Sequence, residues 1–159
     1  MNLQNISIQY QSEGDSNLCE KVLKSLPDWF GIEEALKNYV EKSKKLPMLI
    51  ALNDKNPVGF LSLKGHGKYT VEVFVMGIFP EFHGKGIGSL LLQAAEKQLV
   101  KKEVEYLQVK TVSSDRECKF YKQTRLFYEG YGFKQLEVFP DLWDKSNPCL
   151  LLVKNVESL

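Results

Sequence analysis

The sequence predicts a mixed α+β sandwich, with helices packed around one sheet. Three observations carry this expectation. Hydrophobic periodicity gives elements in the order β-α-α-β-β-β-α-β-α-β-β. No linker, internal repeat or low-complexity tract interrupts them. At 159 residues the chain suits one well-filled core, whereas two domains would each be too small to build one. A single domain over residues 1–159 is therefore expected.

Each element has a local reason. Ile6, Ile8 and Tyr10 alternate with polar residues and predict a strand. Asp15 and Ser16 are cap residues for a helix with Leu18, Val22, Leu23 and Leu26 on its apolar face, stopped by Pro27. Gly31 to Lys45 predicts a second helix through Ile32, Leu36, Tyr39 and Val40. Met48 to Leu52 is a short apolar strand, Asp54 to Pro57 a turn and Val58 to Lys64 a strand. The glycines of Gly65-His66-Gly67-Lys68 predict a hairpin turn. Tyr69 to Phe79, rich in Val and Phe, is the most strand-like run in the chain. A helix of about 15 residues follows the glycines 84, 86 and 88, with Ile87, Leu91, Leu92, Ala95 and Leu99 on one side. Tyr106 to Val112 is a strand, and Asp115 to Tyr131 a helix with Gly132 at its C-terminal stop. Phe133 to Phe139 and Leu150 to Lys154 close the chain as strands.

Composition excludes several classes. Hydrophobic residues are 43% and charged residues 26%, values of a folded globular chain. Twenty-one basic residues meet 20 acidic ones, so no field of one sign points to nucleic acid or an anionic membrane as partner. No apolar run reaches the roughly 20 residues of a membrane helix. Met1 to Tyr10 is polar and alternating, unlike a secretory signal. Cys19, Cys118 and Cys149 are odd in number and widely spaced, which fits neither a zinc motif nor a disulfide framework. A reducing, cytoplasmic setting without metal is expected.

The sharpest signal is His83-Gly84-Lys85-Gly86-Ile87-Gly88-Ser89, between a strong strand and a helix. Glycines at alternate positions let the backbone turn sharply and approach a ligand. The first N–H groups of the helix lack partners and, with its dipole, form a site for phosphate or pyrophosphate. Two familiar phosphate loops fail on particular positions. Lys85 is followed by Gly86, not by the hydroxyl residue that a P-loop places on magnesium. The spacing is G-x-G-x-G rather than G-x-G-x-x-G, and the next strand ends in Lys110-Thr111-Val112 without the acid that binds a ribose.

At these residues the chain resembles the GCN5-related N-acetyltransferase superfamily, whose motif is [Gln/Arg]-x-x-Gly-x-[Gly/Ala] between strand and helix. His83 stands here where Gln or Arg is usual. A second likeness is Phe127-Tyr128-Glu129-Gly130-Tyr131-Gly132-Phe133, similar to the family's F-Y-x-x-x-G-F. The resemblance implies a mostly antiparallel sheet of about six or seven strands flanked by about four helices. It implies acetyl-CoA as donor, with the pyrophosphate on residues 83–89 and the pantetheine arm bonded to backbone near Met76 and Ile78. Gly77 is expected to mark a bulge where that strand opens.

Acetyl transfer to an amine needs a neutral amine, a stabilised oxyanion and a proton for the leaving thiolate. Tyr128 matches the family position that protonates the thiolate, the alternative being a packing role beside Phe127 and Phe133. Glu72 resembles the strand glutamate that one branch uses as base through water, the alternative being a wetted strand end. Strand alternation would put Glu72, Phe74, Met76 and Ile78 on one face. The backbone N–H of Ile78 or Met76 is the expected oxyanion donor. Trp29, Phe30 and Tyr39 fall where the family's acceptor groove lies, as do Asp141, Trp143 and Asp144, an acidic and aromatic rim suited to a cationic amine. His66 is expected to be exposed. Cys118 lies at a helix start, where a thiolate could be stabilised, the alternative and the expectation being a small buried residue.

The expectation is thus an acetyl-CoA-dependent N-acetyltransferase acting on a primary amine of a small molecule or a protein. A non-catalytic acyl-CoA sensor or interaction module on the same fold is the alternative, and a nucleotide-phosphate binder a weaker one. A monomer or homodimer is expected, through the apolar run Leu150 to Val153 if that run lies at a sheet edge.

Overall fold

The computed structural model describes residues 5–157. The first four residues of the segment Met1–Tyr10, and the last two of the chain, lie outside them. One seven-stranded sheet runs in the order β1-β2-β3-β4-β5-β7-β6. Its strands are β1 (Ile6–Gln11), β2 (Met48–Asn53), β3 (Asn56–His66), β4 (Thr70–Ile78), β5 (Tyr106–Val112), β6 (Lys134–Asp144) and β7 (Asn147–Asn155). The helices are α1 (Ser16–Lys24), α2 (Glu33–Ser43), α3 (Ile87–Lys101) and α4 (Lys119–Tyr131). All neighbours pair antiparallel except β4 and β5. The element order is the one the periodicity predicts.

Local chemistry sets the ends. Asp15 caps α1, its carboxylate accepting from the Leu18 N–H at 3.0 Å. Gly132, at φ 128°, receives the C-terminus of α4. The long hairpin β6–β7 extends well beyond the predicted strands, and β6 forms a sheet edge.

The expected edge at Leu150–Val153 is corrected here. β7 lies between β5 and β6, so Leu150 and Leu152 are buried in the core. An apolar run of this kind belongs to an interior strand covered on both faces.

Two apolar clusters sit on opposite faces of the sheet. One gathers Leu91, Leu92 and Ala95 of α3 with Tyr128 of α4, Val73, Val109 and Leu152. The other gathers Leu18, Val22 and Leu23 of α1 and Leu36 of α2 with Met48, Phe60 and Val75. Glu96, buried in α3, is bonded to Lys154 of β7 at 2.8 Å and to the Tyr131 hydroxyl of α4. A buried carboxylate needs such partners, and these tie three elements together.

Two features of β4 position the site. Ser62 of β3 pairs with Val75 and Leu63 with Val73, leaving Phe74 as an extra residue. Phe74 is therefore the bulge, and Gly77 is not: it stays in register opposite Phe60. Glycine is required at 77 because a Cβ would lie 2.8 Å from Val22 Cγ1. The second feature is an opening. β4 pairs with β5 only from Thr70–Val73 to Tyr106–Val109. Beyond that point the two strands separate, and the β5 half from Lys110 to Val112 stays bonded to β7 instead.

Candidate active site

The glycine loop sits at the open end of β4. Gly84 and Gly86 have φ of 72° and 82°, left-handed values that strain any residue with a side chain. Gly86 is the N-cap of α3 and offers no side chain to the first-turn N–H groups. Those donors are left for a ligand, with the positive end of the helix dipole behind them. Gly88 serves packing: a Cβ there would lie 2.8 Å from the Phe127 ring of α4. His83 closes the end of β4. Its Nε2 lies 2.7 Å from the Ile78 carbonyl, which only accepts, so Nε2 carries the proton.

A cavity of about 1320 Å3 fills the opening between β4 and β5. Met76, Ile78, His83, Gly84, Gly86, Ile87, Gly88 and Ser89 line it, as do Trp29 and Phe30, the Trp29 ring packing edge-on against His83 at 5.9 Å. Tyr128 lines the same space. Of the residues singled out in the sequence, Lys85, Glu72, His66, Cys118 and Asp141 do not line it, so the rim expected from Asp141, Trp143 and Asp144 is formed by the last two.

Tyr128 is held firmly. Only 5% of it is exposed, and its ring packs edge-on against Phe127 and Phe133 at 5.2 and 5.4 Å. Its carbonyl accepts from the Gly132 and Phe133 N–H groups, which fixes the helix end beneath it. Burial pushes its phenol well above the ordinary tyrosine value, so the group keeps its proton at neutral pH. Tyr121, Thr124 and Tyr128 share one face of α4 at i, i+3 and i+7, and all three line the cavity.

Glu72 is buried beside the opening. Its Oε1 accepts from His66 Nε2 at 2.6 Å and from Lys110 Nζ at 3.2 Å. The bulge at Phe74 separates it from Met76 and Ile78, which the unbroken alternation would have placed beside it. Val73, Met76 and Ile78 pack with the α3 cluster, whereas Phe74 and Val75 pack with the α1–α2 cluster. Glu72 therefore shares the α1–α2 face with Phe74. Lys110 bridges it to the cavity, which it lines together with Tyr39. Burial raises the Tyr39 phenol, with smaller upward contributions from Tyr121 and Glu72.

The model of the acetyltransferase (GNAT) family matches residues 16–125. The chain belongs to that family. The matched segment holds β4, the glycine loop and α3, while Tyr128 and Phe133 lie beyond it. No match was found among curated proteins. Solved structures share the GNAT fold at low identity. A putative acetyltransferase of the GNAT family from Desulfovibrio desulfuricans is 17% identical, with a TM-score of 0.83 over 96% of this chain and 99% of that one. An aminoglycoside 6'-N-acetyltransferase complexed with coenzyme A is 16% identical, with a TM-score of 0.72 over 96% and 98%. A GNAT family acetyltransferase from Elizabethkingia anophelis with acetyl-CoA bound is 20% identical, with a TM-score of 0.69 over 95% and 98%.

In this GNAT chain the segment between α1 and α2 spans the opening. The Trp29 indole donates to the Phe120 carbonyl at 3.2 Å and to Thr124 Oγ1 at 3.1 Å. The Tyr121 hydroxyl returns a bond to the Trp29 carbonyl at 2.7 Å. The α1–α2 segment is thereby fastened to α4 across the splayed strands. Sequence reasoning missed Phe74, Lys110 and Tyr121 as site residues. The seven-residue spacing of Tyr121 to Tyr128 was a usable signal for one of them. Nothing local marked Lys110, whose role follows from strand pairing. Among the described residues no group of three or more His, Cys, Asp or Glu side chains is placed to hold a metal. No described helix is long and apolar enough to cross a membrane.

Proposed function

We propose that the protein transfers an acetyl group from acetyl-CoA to a primary amine. One observation carries the reading: a buried, proton-bearing phenol, Tyr128, faces the same cavity as a glycine loop that opens a helix. The residues fit such a donor. The loop at Gly84 and Gly86 has open space where a Cβ would stand, so a pyrophosphate can approach the α3 N–H groups. The separated edge of β4 at Met76 and Ile78 leaves backbone groups for an amide-bearing arm.

Acetyl-CoA supplies a thioester carbonyl and a thiolate leaving group. As the amine nitrogen bonds the thioester carbon and the carbon–sulfur bond breaks, the Tyr128 hydroxyl would give its proton to the departing thiolate. A backbone N–H of Ile78 or Met76 holds the oxyanion. Glu72 takes the amine's proton through water at the Lys110 side of the cavity. His66 and Lys110, bonded to one of its oxygens, fix the carboxylate in place. The three free cysteines support a reducing, cytoplasmic setting. The test is release of CoA from acetyl-CoA over a panel of primary amines, with matched alcohols as controls. Amine-dependent release supports the reading. Tight CoA binding with no release for any amine would contradict it and leave the sensor alternative.

A further inference from the structure

We infer that the acceptor is a primary amine carried on a flat apolar body, an aromatic ring or its equivalent, and not a polycation. The inference rests on the acetyl-transfer reading and names the substrate class of the same site. Three observations converge on it.

The first is the wall on the α1–α2 side. Phe30, Tyr39 and Phe74 form an edge-to-face series with ring centres 5.8 and 5.4 Å apart. Tyr121 and Trp29 continue this wall from the opposite side, fastened to each other by the bond described above. Rings placed edge to face form a stiff slot that an aromatic guest fills well.

The second is the mouth. Ile32 is 56% exposed, Leu142 53% and Trp143 42%. All three line this one cavity, although they come from the α1–α2 connection and the β6–β7 hairpin. A single exposed apolar side chain needs no explanation, but convergence from distant segments on one groove marks a binding surface. The register of β6 on β7 breaks between Phe139 and Asp144, which frees Leu142 and Trp143 to stand at the groove.

The third is charge. The carboxylates that line the cavity, Asp28, Glu34 and Asp144, are all solvent-exposed. The half-buried lining on the acceptor side is mainly aromatic, with Thr124, Asn147 and Lys110 among it; Lys110 is paired with Glu72, and the other lining cation, Arg116, is exposed. A polyamine or an aminoglycoside would carry further ammoniums past the rim into a slot whose nearest carboxylate, Glu72, is already paired with Lys110 and His66. A single amine would meet the rim carboxylates, lose its proton and slide its apolar body between the rings.

The test compares kcat/KM, read as CoA release, for 2-phenylethylamine, a short peptide beginning with phenylalanine, spermidine and kanamycin. We expect one or both aromatic amines to exceed spermidine and kanamycin by a hundredfold or more. The better of the two identifies the source as a free amine or a polypeptide terminus. Trp143→Ala and Ile32→Ser, both at exposed positions, should each raise KM for the aromatic amine about tenfold, with the KM for acetyl-CoA unchanged. Spermidine or kanamycin matching the aromatic amines would overturn the inference. So would an unchanged KM for the aromatic amine in both variants. CoA binding without turnover of any amine would instead defeat the acetyl-transfer reading itself, and this inference with it.

Discussion

The proposed function divides the cavity into a donor arm and an acceptor arm, built by different means. Backbone makes the donor arm: two left-handed glycines, the free N–H groups of α3 and the separated edge of β4. Side chains make the acceptor arm: Phe30, Tyr39, Phe74, Tyr121 and Trp143 arrive from five places in the chain. A backbone cradle depends on glycine at fixed spacing and tolerates little change. A side-chain wall can be rebuilt residue by residue, which lets one fold keep its donor while acceptors vary. Changes in the donor arm should therefore alter CoA affinity for every acceptor. Changes in the acceptor arm should alter one acceptor's KM and leave CoA alone.

The largest effect is expected at Gly88. Gly88→Val forces a branched side chain into the Phe127 ring, 2.8 Å from where its Cβ would stand. Either the Phe127 ring or the start of α3 must then shift, and CoA affinity should fall at least a hundredfold in calorimetry. Parental affinity with an intact circular dichroism spectrum would break the claim that this contact seats the loop.

Gly86→Val is a milder attack on the same arm. It puts a β-branched residue at φ 82°, where glycine alone is unstrained. CoA affinity should drop about tenfold, or roughly 1.4 kcal/mol, whichever amine is present. Unchanged affinity in a folded variant would remove the loop from the donor arm.

On the acceptor side, Glu72→Gln sharpens the comparison. The rate should fall most at low pH, where most of the amine is protonated, and CoA affinity should hold. A pH profile matching the parent would show that Glu72 is not the base.

The last effect is on stability, and it appears only at alkaline pH. Burial raises the folded-state value of the Tyr128 phenol above the ordinary value near 10. Below pH 10 both states hold the proton and its contribution is complete. Above pH 10 the unfolded chain releases it first, so stability falls as pH rises, by about 1.4 kcal/mol per pH unit for this phenol. Tyr131, raised by burial and by its bond to Glu96, acts in the same direction. Urea midpoints at pH 9 and 11 measure the slope. A slope unchanged in Tyr128→Phe would contradict the burial of that hydroxyl.

The same contrast explains what was legible in the sequence. The order of elements, the glycine loop and the placing of Tyr128 near Gly132-Phe133 rest on local spacing, and all are visible along the chain. The sequence puts the bulge at Gly77, because glycine signals freedom as readily as crowding. Here it answers the pressure of Val22, while the bulge falls on Phe74, a good strand former. That one extra residue also turned Glu72 away from Met76 and Ile78. Leu150–Val153 is compatible with a sheet edge on sequence grounds, because periodicity does not say which strand pairs with which. Lys110 became visible only when pairing set β5 beside β4.

The central claim is that the two arms meet at a phenol that delivers a proton to the leaving thiolate. Tyr128→Phe keeps the ring packed against Phe127 and Phe133 and removes only that proton. Single-turnover transfer with the best amine, beside calorimetry with CoA, tests it most directly. The account predicts an unchanged CoA affinity and a transfer rate lower by about ten- to a thousandfold. It also predicts a milder loss with a donor whose thiol is more acidic. Transfer at the parental rate would contradict the account and leave Tyr128 as a packing residue.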